Sequence, residues 1–145
     1  MATLGTRARE EAFVARCRTT GLALTPQRLA IFRHLAATDT HPSAEALHAA
    51  VRRELASVSL ATIYKTLDTL ADIGAVRPVS RLGTRGRWDA NLAPHHHLVC
   101  TQCGAIIEFE NCDIEHLQDQ VAARHGFTIS THKLELYGRC KQCKR

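Results

Sequence analysis

Residues 94–104 read Pro-His-His-His-Leu-Val-Cys-Thr-Gln-Cys-Gly, which sets three imidazoles beside two thiols. Cys100 and Cys103 have the two-residue gap that lets two thiolates reach one ion from a tight turn, and Cys140 and Cys143 repeat it near the C-terminus. Two such knuckles supply four sulfurs, the donor set of a closed, tetrahedral, structural zinc site. The histidines pose a separate question. Side chains alternate along an extended strand, so His95 and His97 share one face and His96 takes the other. Because the four thiolates already close the zinc site, His95 and His97 are available to a second, exchangeable site of nitrogen and oxygen donors. The plainer alternative is a pair of surface imidazoles beside a zinc knuckle.

The chain that must position these groups has 145 residues and is 45% hydrophobic, enough for one ordinary domain or two small ones. No apolar run approaches membrane-spanning length, and residues 1–10 lack the apolar core of a signal peptide. A cytoplasmic location is therefore expected, where thiols stay reduced and act as ligands rather than disulfides. Cys17 and Cys112 lie outside the knuckles and are expected to be small structural residues. Charge is uneven: residues 1–91 carry thirteen Lys and Arg against eight Asp and Glu, a net of +5, whereas residues 92–145 carry six against six. A basic first half beside a neutral, ligand-rich second half fits one part that meets a polyanion and another that senses or assembles.

The pattern of apolar residues supplies the elements. A helix is expected over 7–18, with Phe13 and Val14 apolar and Gly21 as its stop. Thr25 and Pro26 open a second helix as N-cap and first helical residue, with Leu29, Phe32 and Leu35 on one face. Ser43 caps a third, marked by Leu47, Val51 and Leu55. A fourth, over 59–74, turns Ile63, Leu67, Leu70 and Ile73 inward and leaves Thr62, Tyr64, Lys65, Thr66 and Thr69 outward, the groups a major-groove helix needs. Strands over 75–80 and 85–89, joined through Gly83 and Gly86 and lined by Arg77, Arg81, Arg85 and Arg87, complete a winged helix whose wing meets phosphates. Residues 91–94 read as a hinge between a DNA-binding domain, 1–91, and a metal-binding dimerisation domain, 92–145. In the latter, strands over 98–100 and 105–110 flank the first knuckle, and Asp113 caps a helix with Ile114, Leu117 and Val121 on one face, closed by Gly126. A last strand is expected over 127–137, with a bulge or change of partner where its parity shifts between Ile129 and Leu134. The fold class is thus α+β. So small a sheet with one helix buries little surface alone, which points to pairing with a second copy.

With these elements in place, the chain resembles the ferric uptake regulator family over residues 22–143. The resemblance rests on Leu-Thr-Pro-Gln-Arg at 24–28, His-Pro at 41–42, Ala-Thr-Ile-Tyr-Lys-Thr-Leu at 61–67, the histidine and cysteine run at 95–104, and Leu-Tyr-Gly-Arg-Cys-Lys-Gln-Cys at 136–143. It implies a homodimeric, metal-dependent repressor that binds palindromic double-stranded DNA, with no membrane association. By the same resemblance, Cys100, Cys103, Cys140 and Cys143 hold Zn(2+), while His41, Asp89, His95, His97 and Glu108 hold a regulatory Fe(2+) or Mn(2+). That set takes ligands from the DNA-binding helices, the wing's end and the dimerisation half, so an ion held by it would fix the orientation that decides whether two recognition helices fit successive grooves. A third family site would use His96, Glu115 and His132, although Pro94 stands where many members carry another histidine. For DNA, the resemblance and the exposed helix face together point to Arg28, Thr62, Tyr64 and Lys65.

Arg87-Trp88-Asp89 is similar to the peroxide-sensing branch, where aspartate favours an iron site whose histidines are oxidised. Glu108 departs from the best-known peroxide sensors, which have aspartate there. A peroxide- and iron-responsive repressor is the favoured expectation; regulation of iron or zinc uptake is the alternative. Two readings from other classes fit less well. A zinc hydrolase lacks its signature, since no His-Glu-x-x-His helix is present, and no enzymatic activity is expected. A protein-binding zinc ribbon leaves residues 1–91 unexplained.

Overall fold

In the computed structural model, which describes residues 5–79, 86–110 and 113–144, the chain separates into two units, Met1–Ala93 and Pro94–Arg145. Helix α1 (Thr6–Thr20) opens the first unit and ends at Gly21, whose φ of 71° makes the left-handed stop that glycine tolerates. It runs slightly past the expected 7–18. Phe13 and Cys17, one turn apart, are its buried apolar residues, and Phe13 stacks on Phe32 with ring centroids 4.1 Å apart. Helix α2 (Pro26–Ala36) is capped by Thr25, whose side chain accepts the Arg28 N–H at 3.2 Å. Ile31, Phe32 and Leu35 fill the core, whereas Leu29, expected inside, is half-buried at its edge.

Helix α3 (Ala44–Val51) is capped by Ser43, and its Leu47 and Val51 point inward. Leu55 lies beyond the helix, although its N–H still reaches the Val51 carbonyl at 2.8 Å. Helix α4 (Leu60–Asp72), capped by Ser59, buries Ile63, Leu67 and Leu70 completely. Thr66 was expected outside and is instead 7% exposed. The spacing explains the difference: 63, 66, 67 and 70 form the i, i+3, i+4, i+7 stripe of one helical face. Strands β1 (Arg77–Val79) and β2 (Arg87–Asp89) pair antiparallel, with Arg77 opposite Asp89. β1 starts later than the expected residue 75 because Ala75 and Val76 enter the core before the ribbon begins. Arg81, Gly83 and Arg85 lie outside the described residues.

In the second unit, β3 (His96–Cys100) is the central strand of a three-stranded sheet of order β4-β3-β5. Strand β4 (Ile106–Phe109) pairs antiparallel with it and β5 (Glu135–Gly138) parallel. The long final strand expected over 127–137 is not formed. The chain pairs only from His97↔Glu135 to Cys100↔Gly138, because the five-residue β3 is too short to partner eleven residues. Helix α5 (Ile114–His125) ends at Gly126 in the left-handed region, but Asp113, at the N-cap position, makes no side-chain capping bond. No α5 residue is buried in the single chain. Leu117 and Val121 are 52% and 43% exposed, so the apolar face read from the sequence is present and uncovered.

Candidate metal centres

The four-sulfur group is assembled by the β3–β5 pairing, which sets the end of β3 beside the second knuckle. Each knuckle is a tight turn: the Gly104 N–H reaches the Cys100 carbonyl at 3.0 Å, and the Cys143 N–H reaches that of Cys140 at 2.9 Å. The Sγ atoms of Cys100, Cys103, Cys140 and Cys143 all lie within 4.8 Å of one another. Cys103 and Cys140 are 3.8 Å apart, which matches the edge of a tetrahedron whose zinc–sulfur bonds are about 2.3 Å. Cys100 is already prepared as a thiolate. The Cys103 amide, then those of Cys140 and Gln102, donate to its sulfur and lower its pKa to about 6. Cys143 goes the other way, pushed up to about 12 chiefly by its hydrogen bond with the Cys140 sulfur. Four converging sulfurs, one held anionic by backbone amides, fit Zn(2+).

The imidazoles gather separately within each unit. In the second, His95 Nε2 and His97 Nε2 are 3.0 Å apart, and the rings meet edge to face at 84°. The β3–β4 register pairs His97 with Glu108, bringing Glu108 Oε1 to 3.7 Å from His95 Nε2. All three side chains turn a nitrogen or oxygen donor to one point, and both histidines are buried. His96 faces the other way, against Phe109 and His132 at centroid distances of 5.3 and 5.4 Å.

In the first unit, buried His41 and Asp89 approach with Nε2 and Oδ2 3.8 Å apart. His41 has a φ of 52°, the left-handed region that non-glycine residues seldom enter. Asp89 Oδ1 accepts the Asn91 N–H at 2.6 Å, while Oδ2 accepts from Arg77 Nε at 3.3 Å. Imidazole nitrogen with carboxylate oxygen suits Fe(2+), Mn(2+) or Zn(2+). Of the third expected set, His96 and His132 come together, and His132 Nδ1 bonds Gln118 Oε1 at 2.8 Å. Glu115 joins no cluster of three metal-ligating side chains among the described residues. Cys17 is buried, and desolvation raises its pKa, as befits an inert core thiol. Cys112 lies outside the described residues.

The expected DNA-facing residues divide. Arg28, Thr62 and Lys65 line one polar concavity with Thr25, Gln27 and Thr69, and Arg28 Nη1 is braced on the Ala23 carbonyl at 2.6 Å. Tyr64 lies apart from it, toward α3, with its hydroxyl donating to Glu45 Oε1 at 2.8 Å. Sequence reasoning missed two groups. Glu45 carried no signal beyond its place in the first turn of α3, but Arg77, read only as an arginine of the wing, was findable as the partner of Asp89, because antiparallel pairing of β1 and β2 sets the two across from each other.

The ferric uptake regulator family description matches residues 19–137. Over 134 residues the chain is 34% identical to the peroxide-responsive repressor PerR of Staphylococcus aureus, covering 92% of this chain and 90% of that one. Among solved structures it is similar to the Campylobacter jejuni peroxide stress regulator, with a TM-score of 0.72, 30% identity, and 90% and 98% of the two chains covered. A zinc uptake regulator complexed with zinc and DNA matches with a TM-score of 0.67, 26% identity, and 97% and 95% covered. The match spans both the helical unit and the sheet that carries the cysteines, and the chain belongs to the ferric uptake regulator family.

Proposed function

We propose that the chain is a metal-dependent transcriptional repressor that binds a palindromic DNA operator as a homodimer and releases it in response to peroxide. The observation that carries this reading is the segregation of donors. Four sulfurs converge on one another in the second unit, while buried imidazoles and carboxylates gather apart from them within each unit, donors suited to an exchangeable ion. In this proposal the regulatory ion draws on His41 and Asp89 of the first unit and His95, His97 and Glu108 of the second. Similarity to PerR supports the peroxide signal, and similarity to a DNA-bound zinc uptake regulator supports the nucleic-acid partner. The basic first half and the Arg28, Thr62 and Lys65 concavity agree with DNA. Exposed Leu98, Ile107, Leu117, Val121, Phe127 and Leu136 agree with a second copy. No helix among the described residues is long and apolar enough to cross a membrane, and we place the protein in the cytoplasm without enzymatic turnover.

Bound Fe(2+) would supply the one-electron chemistry that peroxide requires. The chain's part is to hold imidazoles beside that ion, and the thiols among the described residues lie either in the four-sulfur group or, for Cys17, in the core. The test is mass spectrometry of iron-loaded protein after peroxide. Gain of one oxygen atom on a peptide containing His41, or on one containing His95 and His97, together with loss of operator binding, is expected; Mn(2+) should preserve binding and protect the histidines. Oxidation confined to cysteine, or operator release that follows only free metal concentration, would replace this reading with regulation of metal uptake, which Glu108 favours.

A further inference from the structure

The segment between α2 and α3 that carries His41 is fastened at both ends by arginines from outside it. At its start, Arg9 of α1, itself 7% exposed, donates to the Ala36 carbonyl at 3.1 Å and to Asp39 Oδ1 at 3.3 Å. At its end the fastening comes from β2. Arg87 donates through Nη2 to the Thr40 carbonyl at 3.0 Å and through Nε to the His41 carbonyl. The Trp88 N–H reaches the Pro42 carbonyl at 3.2 Å, and Ser43 bridges Arg87 in antiparallel fashion. Three consecutive carbonyls, 40 to 42, are therefore held by two adjacent residues of one strand.

We infer that Arg87 is a positioning residue for the regulatory metal: it holds His41 in its left-handed backbone conformation and ties that ligand to the strand that supplies the other, Asp89. The inference rests on the ligand set proposed above. His41 lacks glycine's freedom, so a φ of 52° persists only where the surroundings over-determine it. Arg87 and Asp89 are two residues apart on β2 and so share a face. A cation that draws His41 and Asp89 together therefore tightens the seam that Arg87 closes, and a closed seam presents both ligands already placed. Coupling of this kind is reciprocal: what favours the closed seam favours the metal, and the metal favours the closed seam. Lysine cannot substitute, because a single ammonium lacks the planar fork that spans two carbonyls.

The experiment is Mn(2+) titration of the full-length, zinc-loaded protein, followed by electron paramagnetic resonance, for the wild type, Arg87→Lys and His41→Ala. Hydrogen exchange of the Trp88 amide is measured in the wild type with and without Mn(2+). Arg87→Lys should weaken Mn(2+) binding at least about tenfold, the lower end of what loss of a ligand-orienting partner does. Zinc content and the melting temperature of the Mn(2+)-free protein should stay near wild type, and excess Mn(2+) should restore operator binding. Mn(2+) should slow exchange at Trp88. Wild-type Mn(2+) affinity in Arg87→Lys, with His41→Ala losing it, overturns the positioning role and leaves the proposed site standing. Wild-type affinity in His41→Ala overturns the site itself. Should Arg87→Lys fold poorly, the wild-type exchange decides: a Trp88 amide indifferent to Mn(2+) rules the coupling out.

Discussion

Arg77 Nε lies 3.3 Å from Asp89 Oδ2, directly across the β1–β2 ladder, with Nη2 of the same side chain on the Asn91 and Ala93 carbonyls at 2.7 and 3.2 Å. A guanidinium thus occupies a carboxylate oxygen that also faces His41, and any cation bound there must share it. Replacing Arg77 with Met removes the charge while keeping most of the side chain's length. Only the Arg77 end of this pair meets solvent, 36% exposed against 5% for Asp89, so it contributes ~1 kcal/mol, the top of the range for solvent-screened pairs, and Mn(2+) should bind about fivefold more tightly. Equilibrium titration checks this, and unchanged or weaker binding would show that Arg77 matters for orienting Asp89 rather than for charge.

The thiol site should respond to acid. Cys100 is a thiolate above about pH 6 because amides donate to its sulfur. At Cys100 protons compete with zinc only as pH falls through that value, so zinc affinity should fall more steeply there than at neutral pH. Cys143, pushed up to about 12, still carries its proton at neutral pH and should release it when zinc binds. Calorimetry in buffers of different ionisation enthalpy would register that proton. Cys140→Ser should lose zinc and with it the dimer, since structural zinc contributes on the order of 10 kcal/mol to small domains. A stable, zinc-free Cys140→Ser dimer would contradict the four-thiol assignment.

On the DNA side, the Tyr64 hydroxyl donates to Glu45, which leaves its oxygen lone pairs as acceptors. Tyr64→Ala should cost ~1 to 3 kcal/mol at one operator position, the worth of a base contact. Lys65→Ala should weaken all duplexes alike and lower the salt slope by about one. Fluorescence anisotropy over a range of salt separates the two behaviours. Because the hydroxyl acts with Glu45, Tyr64→Phe and Glu45→Ala should be non-additive, and strict additivity would mean that the contact does not survive on DNA.

Two leucines should part company. Leu67 is fully buried in the first unit, and Leu67→Ala should destabilise it by about 2 to 5 kcal/mol through lost burial and the cavity left behind. Leu117 is 52% exposed on α5, so Leu117→Ala should leave the folding of a single chain nearly unchanged and weaken the dimer instead. Urea denaturation read beside sedimentation equilibrium distinguishes the two effects.

What the sequence disclosed follows from how local each signal was. Thr25 and Ser43 cap their helices as read, and Ser59 does the same for α4, because a hydroxyl at the N-cap needs only the amide three residues on. The two-residue cysteine gaps were legible for the same reason. The last strand was misread because its length depends on where β3 begins and ends, far away in sequence. Thr66 was misplaced by its polarity, although its spacing from Ile63 and Leu70 already assigned it inward. Asp113 sits where a cap belongs, yet a ψ of 35° replaces the extended backbone of the three working caps.

Strand β5 joins β3 only through pairs such as His97↔Glu135, and Cys140 and Cys143 lie beyond it. Closing so long a loop is slow, because its entropy is lost before its contacts form. The helices of the first unit pack chiefly on their neighbours in sequence and need no such closure, although the seam that β2 makes with residues 40–43 spans a comparable stretch of chain. A nascent chain would therefore pack the helices of its first unit early and wait for the second knuckle before its second unit could close. Refolding from denaturant should accordingly show a fast phase indifferent to zinc and a slower one whose rate rises with zinc concentration.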